Sequence, residues 1–198
     1  MITLEDIKGS LDSNESLTDE VRDNIYGLVN LFHEKYPNIS LENLNEHLKT
    51  LKINKSNKFV NKRVSKYNPV TNVLEFNESE INKGYDMGHV MMYSLLEIIS
   101  NQDCQVGFNK NNKFDALHAG YTEIITNYLV GNEAETDYLQ NEVISANMVS
   151  LLVGNDVLFN AYFNNDTESL IKGLMDEGVE VNAKLNWWNE LWIWKPIC

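Results

Sequence analysis

Four side chains near the middle of the chain have the right types to bind a metal or move a proton: His89 and Glu97 within MGHVMMYSLLEIIS, and His118 and Glu123 within DALHAGYTEIIT. Imidazole nitrogen and carboxylate oxygen both ligate zinc, and a carboxylate beside an imidazole can exchange protons near neutral pH. If 87–100 is helical, His89, Tyr93 and Glu97 recur at i, i+4 and i+8 and project from one face. Ser94 adds a hydroxyl. On a second apolar helix, His118, Thr122 and Glu123 bring polar atoms among Leu117, Tyr121, Ile124 and Ile125. Polar groups in such surroundings must find partners, so a hydrogen-bonded cluster between the two helices is expected whatever the function. A rearranged metal site built from His89, Glu97, His118 and Glu123, serving a hydrolase, is the chemical alternative. Neither Cys104 nor any serine sits in a nucleophile setting such as G-x-S-x-G, and no phosphate-binding or dinucleotide glycine motif is present.

The same two segments carry a resemblance. Tyr93-Ser94-Leu95-Leu96-Glu97-Ile98-Ile99-Ser100 is similar to the HELLHxxS form of the HExxH helix of zinc metallopeptidases, and Leu117-His118-Ala119-Gly120-Tyr121-Thr122-Glu123 to the LNEGxTE helix of their gluzincin-like group. In that pattern two histidines and a glutamate hold zinc, another glutamate activates water, and a later acid orients a histidine. The resemblance places the two histidines on Tyr93 and Glu97, the base on Ser94 and the third ligand on Ala119, and it retains only Glu123, in the supporting role. An alternative register sets His89-Val90-Met91-Met92-Tyr93 on HExxH and keeps one histidine. In either register the ligand set is broken, and Ser94 cannot act as a carboxylate base. The resemblance implies a zincin-like fold over about 58–165, no metal or other cofactor, and a catalytically inactive protein with a binding or regulatory role.

The elements that must position these residues follow from periodicity. Thr18 or Ser16 caps a helix carrying Val21, Ile25, Leu28, Val29 and Phe32, which ends near Pro37. Ser40 caps a second, with Leu41, Leu44, Leu48 and Leu51 as its stripe, so 1–56 reads as a polar start followed by a helical hairpin. FVNKRVSKY and NVLEF, separated by Asn68-Pro69 and Asn72, predict a β-hairpin before the central helix. Met87–Ser100, apolar on all sides, belongs in the middle of the core. Helices are expected over 115–130 and 138–153, the latter with Leu139, Val143, Ile144, Met148, Leu151 and Leu152 as its core face, and shorter ones over 156–163 and from Asp166 or Thr167. The expectation is one α+β domain, mostly helical, divided as 1–56, a core over 57–165, and a C-terminal helix and tail over 166–198.

Composition narrows the partners. The 198 residues carry a formal charge of −13, a field that repels nucleic acid and anionic membrane. Lys49, Lys52, Lys55, Lys58, Lys62, Arg63 and Lys66 form the one basic stretch, read as a solvated strand edge that blocks unwanted pairing. Two distant cysteines, Cys104 and Cys198, have no disulfide or zinc-knuckle spacing, and no leader or membrane span is evident, so the cytoplasm is expected. The isolated His33 and His47 read as surface residues. Trp187, Trp188, Trp192 and Trp194, all the tryptophans of the chain, fall within LNWWNELWIWKPIC. Side chains of that size must be buried or cover something. Packing back on the core is the simpler reading, and contact with another protein or peptide is the other.

Overall fold

The computed structural model describes residues 2–57, 59, 63–108, 114–131 and 139–176. Three helices open the chain. The first, α1 (Leu4–Asp12), starts in a capping box, in which Thr3 Oγ1 accepts from the Asp6 amide at 3.2 Å and Asp6 Oδ2 accepts from the Thr3 amide at 2.8 Å. This helix replaces the polar start read from the sequence; Ile7 and Leu11, one turn apart, give it a buried stripe narrow enough to pass unnoticed. Thr18 caps α2 (Asp19–Lys35), which buries Ile25, Val29 and Phe32 as its spacing predicts. α3 (Glu42–Leu48) follows, with Ser40 Oγ accepting from the Glu42 amide at 3.3 Å. Buried Asn14 ties the three together, donating to the carbonyls of Leu48 at 2.7 Å and Leu51 at 2.9 Å, where α3 has run out of intrahelical donors.

β1 (Lys52–Ser56), β2 (Ser65–Asn68) and β3 (Val73–Asn77) form a sheet in the order β1-β3-β2. The expected hairpin is β2–β3, antiparallel, and its turn is held by Asn68 Oδ1, which accepts from the amides of Val70 and Thr71. β1 lies in the basic stretch read as a strand edge, outside the expected hairpin. It pairs parallel to β3, from Lys52 opposite Val73 to Ser56 opposite Asn77, a long-range pairing that local pattern does not announce. Lys52 and Lys55 on β1 and Lys66 on β2 are exposed along the two edges.

After the short α4 (Glu78–Ile81), α5 (Met87–Ile99) begins where Asp86 Oδ1 accepts from the Gly88 amide, and every residue from His89 to Ile99 is buried. β4 (Asn101–Gln102) and β5 (Gln105–Val106) pair around Asp103 and Cys104, both at positive φ, in the turn geometry suited to a tight hairpin. α6 (Asp115–Val130), α7 (Gln140–Val153), α8 (Asn155–Phe163) and α9 (Thr167–Asp176) complete a predominantly helical α+β structure. One apolar cluster runs from Ile7 in α1 to Leu174 in α9. Among the described residues, no single helix is long and apolar enough to cross a membrane.

One expectation is reversed. The core face of α7 is not Ile144, Met148, Leu151 and Leu152, which are all exposed, but Ala146 and Val149, which are buried. Gly120 supplies the reason. A Cβ there would collide with the backbone carbonyl of Glu142, so α6 and α7 approach backbone to backbone. Only the small-residue face of α7 fits so short a separation, and the larger apolar side chains are turned outward. Gly120→Ala should therefore cost about 3 kcal/mol in a urea titration, since neither backbone can yield cheaply. Gly27→Ala, on an open face of α2, should instead stabilise by about 0.5–1 kcal/mol.

Candidate functional site

Two buried histidine–carboxylate pairs cross the interface between α5 and α6. His89 Nε2 lies 3.0 Å from Glu123 Oε1, and His118 Nε2 lies 3.4 Å from Glu97 Oε1. The expected cluster between these helices is therefore present, but as two units. His89 and Glu97 are eight residues apart on one helix, about 12 Å along its axis, so the four side chains cannot surround one ion. Among the described residues, no three His, Cys, Asp or Glu side chains are grouped to hold a metal.

The first pair has a defined proton inventory. His89 Nδ1 donates to the Gly131 carbonyl at 3.3 Å, so the Nε2–Oε1 contact must carry one further proton, on either the ring or the carboxyl. The pair is neutral as a unit in both arrangements, which is what makes its burial tolerable. Beside it, His89, Tyr93 and Glu123 line a cleft with Ser65, Tyr85 and Val90, whose cavity of about 10 Å³ is the space of roughly one water. Small-molecule sites are larger by more than an order of magnitude, at roughly 300–1,000 Å³.

The second pair sits in an aromatic nest. The His118 ring stacks on Tyr162, with centroids 5.6 Å apart and planes at 12°, and meets Phe108 edge-on. Gly107, at φ +54°, passes so close to both His118 and Tyr162 that no side chain could replace its hydrogen. Thr122 belongs to this nest, not to a cluster with Glu123. Its hydroxyl donates to the His118 carbonyl and contacts the Tyr162 hydroxyl at 2.8 Å. Burial holds the Tyr162 phenol far above its ordinary titration range, so it stays neutral. Glu97 Oε2, Glu123 Oε2 and His118 Nδ1 are buried with no hydrogen-bond partner among the described residues.

The remaining positions carried by the resemblance have structural surroundings. Ser94 Oγ donates within its own helix to the Val90 carbonyl at 2.9 Å and reaches Ser65 Oγ at 3.1 Å. Tyr93 is buried in the cleft wall, and Ala119 is packed inside α6. Trp187, Trp188, Trp192 and Trp194 lie outside the described residues.

Sequence reading missed a third polar network. His47, expected at the surface, is half-buried and spans three elements. Asn101 Nδ2 approaches its Nε2 at 2.8 Å, and its Nδ1 lies 3.2 Å from the Tyr67 hydroxyl, which donates to Asn72 Oδ1 at 3.1 Å. Asn72 closes the circuit by donating to the His47 carbonyl at 2.7 Å. With Nε2 accepting, the neutral ring carries its proton on Nδ1. Burial pulls the His47 pKa below its ordinary value, against smaller opposing effects from Asn72 and Glu46. A lone histidine between leucines on a short helix offers no signal of such partners, since they come from residues 20 to 54 positions away.

Compared with protein-family models, curated proteins and solved structures, the chain matches none of them.

Two measurements test these networks. Glu123→Leu alone removes the carboxylate that faces His89 Nε2 and should cost about 3 kcal/mol, while His89→Leu/Glu123→Leu should cost clearly less than the sum of the single changes in a double-mutant cycle. For His47, a lowered folded-state pKa means the unfolded chain binds more protons. Its stabilising contribution is complete above the ordinary value of 6.5 and is lost as pH falls below it. Wild type should therefore lose more stability than His47→Gln between about pH 7.5 and about pH 5.5; an equal loss would show that the buried ring does not set this dependence.

Proposed function

We propose that this chain is a catalytically inactive, zincin-like relative of the HExxH metallopeptidases, acting in the cytoplasm as a protein- or peptide-binding or regulatory protein. The observation that carries the reading is the state of the ancestral positions. Glu97 is committed to His118, Ser94 to the Val90 carbonyl and Ser65, and Ala119 to packing, while the cleft beside Tyr93 holds about 10 Å³. A peptidase needs three convergent ligands, a base and an open groove at that place. The β2–β3 hairpin leading into α5, with α6 packed along it, supports the zincin-like part of the proposal. With so little space in the cleft that the described residues line, a partner would be met at the surface of the chain.

Metal content of the untagged protein, measured by plasma mass spectrometry before and after zinc addition and paired with hydrolysis of a peptide library, tests the proposal. Substoichiometric metal and no turnover are expected. Stoichiometric zinc, together with a peptidase activity abolished in both Glu97→Ala and Glu123→Ala, would overturn it in favour of a rearranged hydrolytic site.

A further inference from the structure

The outward face of α7 is an apolar stripe without a cover among the described residues. Ile144, Met148, Leu151 and Leu152 follow the i, i+4, i+7, i+8 spacing of a buried helix face, yet Leu151 is 87% exposed and Ile144 52%. A contiguous surface of this kind on an acidic, otherwise well-packed chain marks a contact. The next helix to consider is α9. Its Gly173 lies against Val153, since a Cβ there would stand 3.3 Å from Val153 Cβ. α9 ends three residues later, at Asp176, about one helical turn beyond that contact. The chain therefore leaves α9 near the end of α7 where Leu151 and Leu152 are exposed.

We propose that this stripe is the docking face for the chain's own C-terminal segment, residues 177–198. The segment has what the stripe lacks, four tryptophans with Leu185, Leu191 and Ile193, and each tryptophan can bury roughly 150–250 Å². Reach is sufficient. The ten residues from Glu177 to Asn186 span up to about 33 Å, whereas the 14 residues of α7 extend about 21 Å. Charge does not oppose the contact, because Glu142 is the single charged side chain of α7 and lies at its far end. A tethered segment is present at an effective concentration of order millimolar, while a second copy must overcome the repulsion of two chains at −13.

Because all four tryptophans of the chain belong to this segment, the intrinsic tryptophan fluorescence of the full-length protein reads it alone. In monomeric protein, verified by light scattering, the emission should be blue-shifted and shielded from acrylamide, and unchanged across a wide dilution series. Met148→Glu/Leu151→Glu, at exposed positions that leave the fold intact by circular dichroism, should shift the emission to the red and expose the tryptophans to quencher, whereas Val70→Glu, also at an exposed site, should not. Emission that is already solvent-like in wild type, or unmoved by the double substitution, overturns the proposal. So does a blue shift that vanishes on dilution together with loss of a dimer, which assigns the face to a second copy, or one that appears only with added phosphatidylglycerol vesicles, which assigns it to a bilayer.

Discussion

The burial of α5 on all sides is the constraint to which the other elements answer. Eleven consecutive residues, His89 to Ile99, are removed from water, and they include a histidine, a glutamate, a tyrosine and two serines' worth of backbone-directed hydroxyls when Ser100 is counted. A helix of that composition is costly to enclose unless its polar side chains find partners. Ser94 and Ser100 turn back onto the helix's own carbonyls. His89 and Glu97 have no such local solution, so the partner helix must present a carboxylate to the one and an imidazole to the other, which α6 does through Glu123 and His118. Each carboxylate thereby lies against an imidazole inside the core, where an isolated ion would be far more costly.

Satisfying α5 in this way decides what α6 can do on its other side. The helix presents Gly120 to α7, and the two backbones come into direct contact there. So close a crossing accepts only small side chains from α7, which explains why a helix apolar on two faces buries Ala146 and Val149 and leaves its leucines outside. The polar core and the exposed stripe are thus consequences of one packing arrangement. Among the described residues, the cleft beside His89, Tyr93 and Glu123 at this interface has about the space of one water.

Much of this architecture was legible from residue pattern. Asp115–Val130 and Met87–Ile99 are strongly apolar runs bounded by turn residues, and the structure places both helices where the pattern does. The hairpin turn at Asn68 and the cap at Thr18 are local chemistry and equally readable. α1 was not legible, because two buried residues make a weak stripe, nor was the pairing of β1, because its partner strand lies about twenty residues downstream and runs parallel to it. The candidate site divides the same way. That His89, Glu97, His118 and Glu123 would need partners follows from their apolar neighbours, whereas which residue meets which depends on how far one helix slides along the other.

The sequence by itself determined a predominantly helical α+β chain, a central helix apolar all round, the polar residues that must be paired inside it, and an acidic surface with its tryptophans gathered at the C-terminal end. Those are properties of composition and short-range periodicity, which do not depend on the rest of the fold. Only the tertiary structure decided that the four titratable side chains form two separate pairs, that His47 is enclosed by Tyr67, Asn72 and Asn101, and that α7 turns its larger side chains to solvent. Each of these rests on distances between segments remote in sequence, and a backbone contact at Gly120 outweighs the hydrophobicity that the α7 pattern alone would have buried.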